Sequence, residues 1–183
     1  MKDNFKIPIL GEHFKFSLRE DVTEKDKALD YIRSFIRKSD VKALKLLVKS
    51  GLLLDFSCKK NLIATVGKAV YTERMAGGVT YTGEITDGAL GNGSSPVFSA
   101  SDVALKSEVG RKQASDSSFD DNIAYIDFFF ASGDIADGTY TEWGTFIDGD
   151  GSTPDDGQAF SLLATGGWVK SGSLYISSRY TLT

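Results

Sequence analysis

Residues 81–112, YTGEITDGALGNGSSPVFSASDVALKSEVGRK, govern how the rest of the chain is read. An alternating segment comes first, in which Ile85 leads into Ala89 and Leu90. A Gly91-Asn92-Gly93 corner follows, and then a block in which Asp102, Leu105, Glu108 and Arg111 recur every three residues. Glycine tolerates positive φ, so Gly91 and Gly93 let the chain leave a strand and turn sharply. Asp102 is expected to cap a helical turn that points Leu105 inward and sets Glu108 beside Arg111. Such a block is a stiff corner in a β-rich domain.

Downstream of this corner, strand signals dominate. Apolar and β-branched runs cover residues 122–131, 139–148, 159–165 and 174–182, and a shorter run precedes the corner at 79–86. Gly- and Asp-rich turns separate them, the punctuation of a β-sandwich. The run YIDFFF at 125–130 is aromatic enough to be a well-buried central strand.

Upstream, the composition changes. Residues 1–60 hold 14 Lys+Arg against 9 Asp+Glu, a charge of +5, and residues 61–183 hold 7 against 16, a charge of −9. Only two of the 19 glycines, Gly11 and Gly51, lie in the first segment. The boundary is therefore placed at Lys59-Lys60, with an N-terminal strand-and-helix arm at 1–60 and a β-sandwich at 61–183. Phe5, Ile7 and Ile9, then Phe14, Phe16 and Leu18, alternate as one or two short strands interrupted by Pro8 and Gly11.

Thr23 is expected to cap a helix with Glu24 and Asp26 in its first turn and an apolar face of Ala28, Leu29, Ile32, Phe35 and Ile36. A second helix starts at Asp40, presents Val41, Leu44, Leu47 and Val48, and stops at Gly51. Two short amphipathic helices cannot bury each other, so Leu29, Ile32, Phe35, Ile36, Leu44, Leu47 and Val48 form the docking face of an assembly arm. That face can lie on its own sandwich or on a neighbouring copy, and the neighbouring copy is the expectation adopted. Removal of the arm should then leave a folded β domain. A third helix is expected within 61–75, weakened by Gly67.

The chemistry-bearing residues are few. His13 is the only histidine, placed in the arm as a packing or surface residue, so a Ser-His-Asp or Cys-His arrangement lacks a base. Cys58 is the only cysteine and is expected as a buried spectator thiol. Asp120-Asp121 reads as a solvated turn. The loop DGDGSTPDDG at 148–157 brings four carboxylates together. Thr153 stands where a calcium loop has glycine, and no glutamate closes the loop, so it reads as an exposed hairpin. Catalytic, cofactor-binding and metal residues are thus all expected to be none. The start of the chain lacks a secretory h-region and no run of about 20 apolar residues can span a bilayer. Neither nucleic acid nor membrane is expected as a partner, because the basic residues near the start are interleaved with acids.

The order Ala89-Leu90-Gly91-Asn92-Gly93, Pro96, Asp102, Leu105, Glu108, Arg111, and then Glu142-Trp143-Gly144-Thr145-Phe146 resembles a domain of tailed-bacteriophage structural proteins. That domain is of the tail-fibre or tail-collar-fibre type. The resemblance spans about residues 61–183. Trp143 stands where the pattern has an aliphatic residue and Thr145 where it has leucine.

It implies a virion protein, made in the host cytoplasm, that serves as a structural subunit of the tail, baseplate, neck or fibre attachment. Its partners would be other virion proteins and copies of itself in a ring or trimer. A capsid decoration or head-fibre protein is the alternative within that class. From a different class, a carbohydrate- or receptor-binding module would use Trp143 and Trp168 as its platform. Gly91, Gly93, Leu105, Glu108, Arg111, Glu142 and Trp143 form the structural corner. Within it Arg111 either pairs with Glu142 or Glu108, or these charges stand apart in solvent.

Overall fold

The computed structural model describes residues 9–19 and 25–183. Phe5, Ile7 and Pro8, and the Thr23 cap with Glu24, lie outside those residues. Among the described residues ten strands form two antiparallel five-stranded sheets packed face to face, a mainly β sandwich.

The first sheet has the order β2-β1-β10-β7-β6, from β1 (Ile9–Leu18), β2 (Leu53–Lys60), β6 (Asp116–Asp120), β7 (Ile123–Phe130) and β10 (Ser173–Leu182). The second has the order β3-β9-β8-β4-β5, from β3 (Leu62–Ile63), β4 (Ile85–Gly91), β5 (Glu108–Gln113), β8 (Gly138–Ile147) and β9 (Gln158–Lys170). The strand expected at 79–86 is displaced to Ile85–Gly91, so the alternating signal belongs to the corner itself.

The aromatic run fills both faces of β7. Ile126, Phe128 and Phe130 point between the sheets, while Tyr125 and Phe129 point outward. Trp143 sits at the centre of the inner layer, edge-on to Phe128 at a centroid distance of 5.3 Å and tilted against Trp168 at 6.4 Å. Gly88 makes room for it, since a Cβ there would lie 2.3 Å from the indole. Trp143 and Trp168 are 0% and 3% exposed, which removes them as a ligand platform.

The three helices cover what the sheets leave open. α1 (Lys25–Lys38) and α2 (Val41–Lys49) lie on the outer face of the first sheet. Asp40 caps α2, accepting from the Lys42 and Ala43 amides at 2.9 and 3.3 Å, and Gly51 at φ 71° ends it. A buried carboxylate fixes α1: Asp127 on β7 accepts from Arg37 at 3.0 Å and from Ser177 at 2.6 Å, with Arg33 at 3.6 Å. α3 (Thr65–Met75) runs against β9. Gly67 is what permits that approach, because a Cβ there would meet the Phe160 backbone at 2.8 Å.

Two expectations about the N-terminal segment are corrected. First, β1 is an interior strand, paired along its length with β10 and, from Glu12 onward, with β2, so the composition shift at Lys59-Lys60 is not a structural seam. The change in charge falls between β2 and β3, inside the sandwich. Second, the assembly-arm face is spent within the chain. Ile32, Ile36 and Leu47 are buried, and Leu29, Phe35 and Leu44 partly so, against Phe14, Phe16, Leu18, Tyr125 and Tyr175. Only Val48, 58% exposed, stays outside. Cys58 is exposed on β2 rather than buried, because β2 is an edge strand.

Deleting residues 1–56 therefore removes β1, half of β2 and the helices over an apolar face. The truncated chain is expected to be insoluble or to lack a cooperative thermal transition. A cooperative melt of soluble truncated protein, followed by circular dichroism, would contradict this.

Candidate functional site

The seven corner residues converge on the outer face of the second sheet and on the loop that covers it, except Trp143, which points inward. Glu142 is fully buried and lies opposite Gly91 in the register. Its carboxylate accepts from the Lys106 and Ser107 amides at 3.1 and 2.9 Å. The two glycines exist for this group: a Cβ on Gly91 would lie 2.2 Å from Oε2, and one on Gly93 2.6 Å from Oε1. Neither takes a positive φ, so close approach and not turn conformation is the reason for glycine here. Leu105 seals the same face, packed with Ala89, Phe146 and Leu162.

The expected helical turn at Asp102 is absent. Asp102 instead accepts from the Ser99 amide at 2.7 Å and from Lys106 Nζ at 2.8 Å within an irregular loop. Glu108 and Arg111 lie on β5, where residues three apart would ordinarily point to opposite faces. A bulge reconciles them: Gly91 pairs with Glu108 and Leu90 with Gly110, leaving Val109 as the extra residue.

Arg111 then binds Glu108 through both forks, Nε at 2.7 Å and Nη2 at 2.8 Å, and reaches Asp87 at 3.2 Å. Its guanidinium lies 4.7 Å over the Phe146 ring. Arg111 does not pair with Glu142. It faces Ala89 on one side of β4, whereas Glu142 faces Gly91 on the other. Burial pushes the Asp87 carboxyl above its ordinary range, against the pull of the Gly151 amide and Arg111.

The acidic loop is part of this cluster and not a free hairpin. Arg111 donates to the Asp156 carbonyl at 2.8 Å, the Gly151 amide to Asp87 at 3.0 Å and the Asp155 amide to Glu108 at 3.1 Å. Asp150 is held well below the usual carboxylate range by the Thr153 hydroxyl and amide and the Ser152 amide. Among the described residues no group of three or more His, Cys, Asp or Glu is placed to hold a metal ion.

A second polar cluster lies between the sheets. His13 on β1 is fully buried, with Ser178 Oγ 2.8 Å from Nδ1 and the Trp143 indole N–H donating to the same nitrogen at 3.2 Å. An indole can only donate, so Nδ1 is the acceptor and the ring proton sits on Nε2, facing Ser161 Oγ at 3.2 Å. Ser161, Thr145 and the Tyr180 hydroxyl close a triangle with sides of 2.7 to 2.8 Å. Burial lowers the His13 pKa to about 3, so the ring is neutral. The residue types resemble a nucleophile-and-base set, but His13, Ser161 and Ser178 are all sealed from solvent. The cluster ties the two sheets together.

Sequence reasoning missed a cavity of about 800 Å³ where the sheets part beside α3. Tyr71 and Met75 of α3, Ile85, Ile126, Phe160 and Tyr180 line it. The signal was present in the period-two pattern of β7 and in Phe119, an apolar residue in the polar run DSSFDD. Neither reveals that the sheets diverge there. In comparisons with family models, curated proteins and solved structures, nothing matches the chain.

Two outcomes follow. Arg111→Ala leaves Asp87 and Glu108 buried without their partner and should cost about 3 kcal/mol of stability. An unchanged melting temperature would refute the buried cluster. His13 takes up a proton at pH 6.5 when unfolded and near pH 3 when folded, so falling pH favours the unfolded chain across that window. Stability should decline there by up to about 1.4 kcal/mol per pH unit. His13→Gln should flatten the profile between those limits, and parallel wild-type and variant profiles would show that His13 does not contribute.

Proposed function

We propose that this chain is a structural subunit of a tailed-phage virion, in the tail, baseplate, neck or fibre-attachment region, working by protein–protein contact and not by catalysis. One observation carries the reading. Apart from Leu90, Trp143 and Thr145, which face the space between the sheets, the residues on which the sequence resemblance rests form a single corner whose charged groups are all consumed by the fold: Glu142 by two amides, Arg111 by Glu108, Asp87 and the Asp156 carbonyl. A motif built this way holds a shape. It leaves no group of the corner poised to act on a substrate. The sandwich architecture is consistent with that role.

Because α1 and α2 are docked on their own sandwich, contacts between copies must come from another surface. A closed ring or trimer needs a heterologous patch that recurs around the axis. Light scattering on purified chain, and on chain co-expressed with the other virion proteins, tests the reading. The expected result is a mass that is a multiple of 19.8 kDa or a stable co-complex. A chain that stays monomeric in every mixture overturns it.

A further inference from the structure

The sandwich has four edge strands, and they differ in how they are closed to another strand. β3 is two residues long. β2 carries Lys59 opposite His13, hence on the inward face, and an inward lysine is a strong block to strand pairing. β5 is bulged at Val109 and covered by the loop after β7, where Ile135 lies over Gly110 and Asp134 binds Lys112 at 2.7 Å. Among the described residues β6 has none of these protections. Its inward residues are Ser117, opposite Ile126, and Phe119, opposite Ala124, and neither is charged. Its aspartates, Asp116 and Asp120, occupy the alternate, outward positions.

The space beside this edge suits a strand. β5 and β6 are joined by two residues that pass from one sheet to the other, with the Ala114 amide on the Thr86 carbonyl and the Ser115 amide on the Asp127 backbone carbonyl. Beyond that pinch β6 runs along the edge of the first sheet, with Ser117 at the cavity. Ser117, Ala124 and Ile126 continue the cavity wall along β6 and β7. Met75 and Leu182, 75% and 50% exposed, line the cavity, and Phe119, 84% exposed, lines the adjoining hollow that shares Ser117, Ala124 and Ile126 with it. Large apolar side chains gathered at one mouth indicate a macromolecular contact. Among the described residues Glu84 at the cavity, with Asp120 and Asp121 at the β6–β7 turn, outnumbers Lys68 at the cavity and Arg74 beside Gly83, so the mouth is weakly acidic.

The geometry points to β6 as a docking edge for an extended segment of a partner protein, apolar at alternate residues and flanked by lysine or arginine. The segment extends the first sheet by one strand, and its inward side chains fill the cavity between β6 and α3. Backbone pairing supplies the register, the cavity selects side chains at every second position, and the acidic rim favours the basic flanks. This rests on the reading of the chain as an assembly subunit and names the surface that such a subunit would use.

The test is binding of a fluorescent synthetic peptide, Lys-Lys-Val-Thr-Val-Thr-Val-Lys-Lys, to the full chain by anisotropy, with a glutamate-flanked peptide as comparison. The lysine-flanked peptide is expected to bind more tightly, with the difference shrinking in high salt. Ser117→Lys places a charge at an exposed inward position, and Phe119→Ser removes the apolar rim. Each is expected to weaken binding at least about tenfold with an unchanged melting temperature. No binding up to about 1 mM peptide, or equal binding to Ser117→Lys, overturns the proposal. A wild-type dimer that Ser117→Lys converts to monomer also overturns it, by assigning the edge to a second copy. So does dodecanoate binding without peptide binding, which would assign the cavity to a single-chain amphiphile. A chain that joins its virion complex yet ignores the peptide fails this inference alone. A chain that binds the peptide and joins no virion protein fails the functional reading alone.

Discussion

The pairing of β1 with β10 joins the two ends of the described chain and places one more strand, β2, beyond them. Most of the architecture follows from that ladder. It widens the first sheet enough to receive two helices on its outer face, since Phe14, Phe16 and Leu18 are three of the five buried residues of the apolar floor. It carries His13 into the gap between the sheets, where Trp143, Ser161 and Ser178 are waiting. It also seats Ile9 and Leu182 side by side at the wall of the cavity. A ladder between residues so far apart in sequence is costly to close, and it becomes favourable only when both faces of the strand are covered.

Buried polar groups give this sandwich its specificity of packing. Apolar layers alone would tolerate sliding of one sheet over the other. The His13 cluster fixes the inner faces by hydrogen bonds that have no alternative partners, and the Asp127 pair fixes the rotation of α1 on the outer face. The Arg111 cluster fastens the acidic loop to the second sheet. Each set makes its hydrogen bonds only in one register, and leaving a bonded member unpaired inside the protein is more costly than the bond itself is favourable.

The same economy bears on function. The charged residues that stand out in the sequence are turned inward to one another, so the surface available to partners is defined by edges and apolar exposure. Three edges are short, charged or covered, and the fourth opens beside a cavity with an apolar mouth. A subunit that assembles through that edge would keep its corner unchanged, because none of the corner residues lines the cavity.

Much of this was legible in the sequence. Period-two apolar runs identified β7, β8, β9 and β10, and caps at Asp40 and Gly51 bounded α2, because these signals depend on neighbours a few residues away. Glu108 beside Arg111 was also anticipated, although through a helix and not through the bulge at Val109. What the sequence could not decide was which surfaces meet. Charge composition suggested a detachable arm, whereas long-range pairing made β1 interior. Exposed tryptophans were plausible until Gly88 and the inner face of β7 were seen to enclose Trp143. Gly91 and Gly93 looked like turn residues, and only the position of Glu142 across β4 shows that they are spaces kept for a carboxylate. Sequence alone fixes local geometry through backbone preference and periodicity. Partners separated by fifty or more residues are chosen by how whole faces bury one another, and that is decided only in the folded molecule.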